Sequence, residues 1–451
     1  CARRAGAVCR IEDYPACRRG WDAYIADLRE FRPDLVVVSS ATATLQGDLQ
    51  ACAVARENAP DAVIAGKGET LIYDAVDALL GRPELDLTLP NEAEEAVEEM
   101  VQGRPLNEIA GLHFHAALLE RFGLERTPNL TWPRRKAQAS IHALRRQARE
   151  AAREEAAAAS AGGRENDSIV FTGPRALNTR LDSLPWPARD LLRNELYRSP
   201  ETQNPLTVIH GNRGCPSACV FCPAGTLTDF SVRYRSVENI VAELRECVER
   251  FGLREFLFHG DTFTLNKRWT LNLCEAIREA GLRIRWGCNS RVDTMDDERA
   301  RALKAAGCWV VAFGVESGDE DMLRRMKKNA TLDQAREAVA CCKRAGLRVH
   351  TFFVIGLPWE TGETLERTYR FLRELDPDFF DFNIATPLPG TELYEIARRE
   401  GLFDGGYNPA EAGYASGALR TLSGLTGKDL EAWRRRRLLA LSLRPGYIAR
   451  T

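Results

Sequence analysis

The stretch Thr207-Val208-Ile209-His210-Gly211-Asn212-Arg213-Gly214-Cys215-Pro216-Ser217-Ala218-Cys219-Val220-Phe221-Cys222 decides how this 451-residue chain is read. It opens as a short apolar strand, breaks at glycine, and then carries three cysteines on one loop. The same strand-then-loop unit returns five more times downstream. The six strand candidates span 207–210, 255–259, 284–288, 309–314, 349–356 and 379–385. Amphipathic helices separate them, clearest where Val237, Ile240, Val241, Leu244, Val248 and Phe251 recur on one face. Six such βα units in a row predict a partial TIM-type (β/α)6 barrel, with function at the C-terminal ends of its strands.

Three residues separate Cys215 from Cys219, and two separate Cys219 from Cys222. Thiolates are the usual ligands of iron–sulfur clusters, and three on one loop can hold a [4Fe–4S] cube while leaving one iron open. A structural zinc site instead calls for four ligands, commonly as two separated pairs, and no second pair follows. The motif, with Phe221 before the last cysteine and the βα units behind it, resembles the radical S-adenosylmethionine (SAM) superfamily over roughly residues 206–397. That resemblance implies cluster ligation by Cys215, Cys219 and Cys222 and places SAM at the following strand ends. It points to Gly260 and Asp261 in a variant of the family's Gly-Gly-Glu, with Asp261 as the carboxylate. It also points to Asn289 and Arg291, to Glu316 as the ribose-binding acid with Ser317 beside it, and to Gly356 near the adenine.

Before the barrel, 34–40 is a short apolar run too hydrophobic for a sheet with one wet face, and 62–69 repeats the unit after a helix. They suit central parallel strands covered on both sides. With helices between them they predict a doubly wound, Rossmann-like α/β domain over residues 1–112. Cys1 opens the chain mid-domain, and the expectation is a domain incomplete at its N-terminus. Such a domain before a radical SAM barrel resembles the superfamily's cobalamin-binding class. The resemblance implies that Ser39, Ser40, Thr42, Gly66, Lys67 and Gly68 receive the cofactor's nucleotide tail. No histidine precedes His113, so the Asp-x-His-x-x-Gly ligand motif is absent and the cobalt is expected to lack a histidine ligand. The tRNA methylthiotransferases also resemble this layout; Cys9, Cys17 and Cys52 could be offered for their second cluster, but only Cys17 and Cys52 are spaced suggestively.

Residues 113–200 read as a linker with a low-complexity helical insertion at 134–160, 201–400 as the barrel, and 401–451 as a helical, basic C-terminal region. Lys and Arg number 62 and Asp and Glu 64, a balance that gives no footprint for nucleic acid. No apolar run is long enough to span a membrane. Cys247, Cys274, Cys341 and Cys342 fall in apolar periodic segments and read as core thiols. This cysteine usage fits a reducing, cytoplasmic compartment. The activity implied is reductive SAM cleavage to a 5′-deoxyadenosyl radical, followed by methylation of an unactivated carbon of a small molecule or lipid. The alternative is an oxidative cyclisation like that of the anaerobic magnesium-protoporphyrin ester cyclases, the branch that the wording of the barrel resembles along with the hopanoid-tailoring enzymes. A flavodoxin or ferredoxin would supply the electron.

Overall fold

The computed structural model describes residues 1–41, 44–68, 71, 75–124, 168–403 and 415–448. The chain divides into two compact units, one built mainly from Arg18–Asn178 and the other from Thr179–Asn408 and Ala412–Thr451. Thr42 and the 134–160 insertion lie outside the described residues.

The first unit holds a five-stranded sheet of β1 (Leu35–Ser39), β2 (Val63–Lys67), β3 (Leu87–Thr88), β4 (His113–His115) and β5 (Ile169–Phe171), in that spatial order. β1, β2 and β3 are parallel. Alternate residues of β2 feed two cores, Val63 and Ala65 on one face and Ile64 on the other, as a sheet covered on both sides requires. The sheet does not stop at residue 112. β4 and β5 extend it by antiparallel pairing, and Phe114 and Val170 bury themselves in the same core as Leu87. Strands of three residues are too short to show a period, so a segment that reads as linker joins the sheet through burial.

In the second unit, six parallel strands run in spatial order β6 (Leu206–His210), β9 (Glu255–His259), β10 (Arg285–Arg291), β11 (Cys308–Glu316), β12 (Arg348–Ile355) and β13 (Phe379–Ile384). A small antiparallel pair, β7 (Asn212–Arg213) and β8 (Arg233–Tyr234), brackets the cysteine loop. All six expected strands are present, in chain order across the sheet, as in an incomplete barrel. One face carries Val311, Phe313, Val349, Phe353, Phe380 and Phe382 into a large core under the helices. The helix Val237–Phe251 shows why these segments hold. Ser236 caps it by accepting from the Asn239 N–H, Gly252 ends it with φ 67°, and Ile240, Leu244 and Cys247 are fully buried. Each such aliphatic burial contributes about 1.5–3 kcal/mol.

A buried charge network ties this helix to the first strand. Glu243 accepts from Arg189 at 2.7 Å and from Arg235 at 2.5 Å, with Glu243 only 1% exposed. Arg189 also donates to Thr207 and the Val208 carbonyl, and Arg235 to the His210 carbonyl. The residues just before the cysteine loop are thereby pinned from both sides. At the C-terminal end of the chain, the helix Gly427–Ser442 lays Leu430, Trp433 and Leu441 on the same core.

Candidate active site

The cysteine loop leaves β6 at Gly211 and turns at Gly214, which has φ 97°. A Cβ there would fall 1.9 Å from the Ser231 carbonyl oxygen, so only glycine permits the turn. The Gly214 N–H donates to Asp261 Oδ2 at 2.6 Å, and Cys215 Sγ lies 3.7 Å from the Thr262 hydroxyl. The end of β9 thus holds the loop in place. Cys219 is buried and Cys215 and Cys222 are half-buried. Burial, with smaller contributions from Cys219, Cys215 and Asp261 nearby, pushes the Cys222 thiol up to about 12. Burial also raises Cys219, against the pull of Lys328 and Arg291. The three thiols are therefore mutual neighbours beside two cations, and taking up iron must displace their protons. Among the described residues no three Cys, His, Asp or Glu side chains gather around a single ion position. A cube differs from a lone ion in spreading its thiolates over separate irons, and the all-thiol donor set with two nearby cations suits one.

The other expected residues are found at the strand ends, most of them already engaged. β10 and β11 run further than their apolar pattern suggests, so Asn289, Arg291 and Glu316 belong to the strands themselves. Arg291 makes a bidentate pair with Asp293, both contacts 2.9 Å, and donates to the Lys328 carbonyl at 2.7 Å. Glu316, at φ 70°, accepts from Lys328 Nζ at 2.7 Å, and both side chains are buried. That pair lies over Gly314, where a Cβ would stand 2.3 Å from Glu316 Oε1. Ser317 faces the Thr368 hydroxyl at 3.2 Å and accepts from the Asp319 N–H, a clamp on the helix Gly362–Leu375. Phe221 packs on a second apolar cluster with Met322, Leu323 and Leu357. Gly356, at φ 81°, donates its N–H to the buried carboxyl of Glu360.

Two residues that sequence reasoning did not single out complete the site. Asn212 is 2% exposed, and neither its amide nitrogen nor its oxygen has a partner among the described residues. It lies against Gly260, where a Cβ would be 2.0 Å from its oxygen. Leaving such a group unpaired costs about 1–3 kcal/mol, so a polar ligand at this strand end would relieve a standing penalty. The amino and carboxylate groups of SAM fit that need. Lys328 is the second, the buried cation between Glu316 and Cys219. Asn212 stood inside the cysteine motif, but nothing in its spacing reveals that it is orphaned.

In the first unit, Ser39 pairs with Lys67 across β1 and β2. The Ser40 N–H donates to the Lys67 carbonyl at 2.7 Å, and a Cβ on Gly68 would be 2.3 Å from the Ser40 carbonyl oxygen. Gly66 is needed by Leu71, 2.7 Å from where its Cβ would be. His113 stacks on Phe171 with ring centroids 4.3 Å apart, and burial lowers it to about 4. Cys52 is packed in the apolar core of the same sheet, its thiol pushed up to about 12 by burial.

Residues 209–372 match the Radical SAM superfamily. The chain is 39% identical over 236 residues to an uncharacterized methyltransferase of Pyrococcus horikoshii, covering 52% of this chain and 50% of that protein. It is 25% identical over 378 residues to the anaerobic magnesium-protoporphyrin IX monomethyl ester cyclase of Cereibacter sphaeroides, covering 82% and 54%. The chain spans about half the length of the curated relatives it matches. Its fold is similar to that of TsrM, a radical S-adenosylmethionine methyltransferase from Kitasatospora setae solved with cobalamin and a [4Fe-4S] cluster bound. The TM-score is 0.70 at 16% identity, over 98% of this chain and 85% of that one.

Proposed function

We propose, from the match of residues 209–372 to the Radical SAM superfamily, that this chain is a cobalamin-dependent radical SAM methyltransferase acting on an unactivated carbon of a small-molecule or lipid substrate. Cys215, Cys219 and Cys222 would hold the [4Fe–4S] cluster, Asn212, Gly260 and Asp261 would meet the polar end of SAM with Asn289 and Arg291 beside them, and Glu316, paired with Lys328, would meet the ribose. When bound, the cluster supplies the electron that splits the SAM sulfonium into methionine and a 5′-deoxyadenosyl radical, and cobalamin supplies the methyl carrier. The chain's own part is to hold the thiols on a loop fixed by Gly214, to turn SAM with the strand-end polar groups, and to keep water out. The observation that carries the SAM site is the buried, unpartnered Asn212 amide beside the thiol loop.

The first unit would hold cobalamin at the ends of β1 and β2, around Ser39, Ser40 and Lys67, without a histidine on the cobalt. Fold likeness to TsrM over nearly the whole chain supports the two-unit assignment. Cyclisation is the second reading, favoured by similarity to the magnesium-protoporphyrin ester cyclase over 82% of this chain. A flavodoxin- or ferredoxin-type donor in the cytoplasm is part of the proposal. Among the described residues no helix is long and apolar enough to cross a membrane. The test is anaerobic incubation of the reconstituted chain with SAM and candidate lipids or tetrapyrroles, with mass analysis of the products. S-adenosylhomocysteine alongside 5′-deoxyadenosine is the expected result. 5′-Deoxyadenosine alone would move the chain to the cyclase reading, and neither product would end both.

A further inference from the structure

One buried lysine of the barrel is held in a way that stability does not explain. Lys328 follows the helix Glu320–Arg325 and is 5% exposed, with its Nζ donating to Glu316 Oε1 at 2.7 Å. An ammonium carries three donor hydrogens, and Glu316 is the one acceptor it has among the described residues. Replacing a buried ion pair with apolar side chains of like volume is often neutral or stabilising, so the fold does not need this pair to stand. The backbone is nevertheless bent to place it. Lys327 and Asn329, on either side, have φ 56° and 51°, and Glu316 has φ 70°, all left-handed and none a glycine. Residues with a Cβ held there cost backbone energy, and such outliers gather at functional sites. Gly314 leaves the room, since a Cβ there would stand 2.9 Å from Lys328 Nζ.

The same turn is tied to the cysteine loop. The Val220 N–H donates to the Met326 carbonyl at 3.0 Å, and Cys219 Sγ lies 3.9 Å from the Lys327 carbonyl oxygen. Arg291 donates to the Lys328 carbonyl at 2.7 Å, while Asp293 takes up its guanidinium through two contacts. Burial raises the Cys219 thiol, and the Lys328 charge is the largest influence opposing it. We propose that Lys328 sets the reduction potential of the cluster on Cys215, Cys219 and Cys222, its fixed positive charge favouring the one-electron-reduced state. The inference rests on the radical SAM reading and adds to it the residue that governs electron entry. The flavodoxin- or ferredoxin-type donor is oxidised by one electron, which arrives at the thiol loop as one added negative charge, and no bond to the protein forms or breaks. A cation fixed in the interior stabilises that charge more than one in water does, because little solvent screens it. Charge and hydrogen bonding around the sulfurs are the means by which a protein sets such a potential. Glu316 bears the opposite charge, so the two residues pull the potential in opposite directions.

The test is a redox titration of the full chain, reconstituted anaerobically without SAM and followed by EPR of the reduced cluster. Lys328→Met, which keeps length and burial, should shift the equilibrium about tenfold toward the oxidised state, a midpoint lower by about 59 mV for one electron. Lys328→Arg, which keeps the charge, should hold the wild-type midpoint, and Glu316→Gln should raise it. Lys328→Met leaves a buried carboxylate unpaired, so the neutral pair Glu316→Gln with Lys328→Met guards against a variant that fails to fold. Its midpoint should again lie about tenfold below that of Glu316→Gln alone. Equal midpoints in both comparisons overturn the proposal, as does a rise on losing the lysine. Loss of the cluster from both lysine-free chains would make Lys328 structural, and weaker SAM binding at an unchanged midpoint would assign it to the SAM carboxylate. Either result overturns the proposal and leaves the radical SAM reading intact. A wild type that takes up no cluster would end that reading, and this inference with it.

Discussion

The two parallel sheets of this chain end their strands in different ways. In the first unit, several of the described residues expected to receive a cofactor tail serve the packing of the sheet itself. Ser40 bonds to Lys67, Gly68 makes room for Ser40, and Gly66 makes room for Leu71. In the barrel, most strand-end polar groups are also engaged, Arg291 with Asp293 and Glu316 with Lys328, but not all of them. Three thiols share one loop, with burial raising Cys219 and Cys222, and Asn212 is buried with both amide atoms unpaired. Small residues at a strand end can be a packing requirement and no more. A buried group left unsatisfied is the stronger mark of a missing ligand, since the fold otherwise bears its cost.

The widest separation between the two sheets should come from the thiols. Replacing Cys215, Cys219 or Cys222 with alanine is expected to abolish both iron–sulfur absorbance and 5′-deoxyadenosine formation. Cys341→Ala should leave both intact, because that thiol is wholly buried in the helix-side core. A triplet variant that still cleaved SAM would erase the contrast.

Next in size is Glu243→Ala, which strands Arg189 and Arg235 without their shared carboxylate. Removing one partner from a buried ion network costs about 3–5 kcal/mol, and urea unfolding of the barrel should show it. A loss within error of zero would mean that solvent reaches this network after all.

Acidity gives a third probe. Burial raises the Glu360 carboxyl from 4.5 to about 7, against opposing hydrogen bonds from Thr364 and Gly356. The folded state holds this proton more tightly than the unfolded chain does. Its contribution is therefore complete below about pH 4.5 and is lost as pH climbs through about 7. The loss is at most roughly 3 kcal/mol, and Glu360→Gln should flatten it in urea midpoints taken from mildly acidic to mildly alkaline pH. A variant with the wild-type slope would assign the effect to another group.

The smallest effect belongs to the first unit. Gly68→Ala should push against the Ser40 carbonyl and destabilise that sheet by about 1–3 kcal/mol, while the iron–sulfur absorbance stays unchanged. If calorimetry finds no loss, the packing account of Gly68 falls, and a role in receiving a ligand regains weight.

Much of this was legible in the order of residues. Strand period, helix period and cysteine spacing are local properties, so the six barrel strands and the thiol loop could be read directly. The parallel pairing of the first sheet could also be read from its apolar runs, but Leu35-Val36-Val37-Val38, expected as a central strand covered on both sides, is the edge strand of the described sheet with Val37 exposed, because only β2 among the described strands flanks it. What the tertiary structure alone decided depends on register and on which face a residue turns to. β4 and β5 joined the first sheet because Phe114 and Val170 found its core, a pairing that three-residue strands cannot announce. Lys328 met Glu316 across 12 positions, and His350 met Asp381 across 31, because neighbouring strands and loops brought them together. Asn212 became significant only when the folded chain buried its amide and supplied no partner. Periodicity fixes what a segment is, but burial and pairing between distant segments fix which polar groups are left wanting, and those are properties of the assembled core.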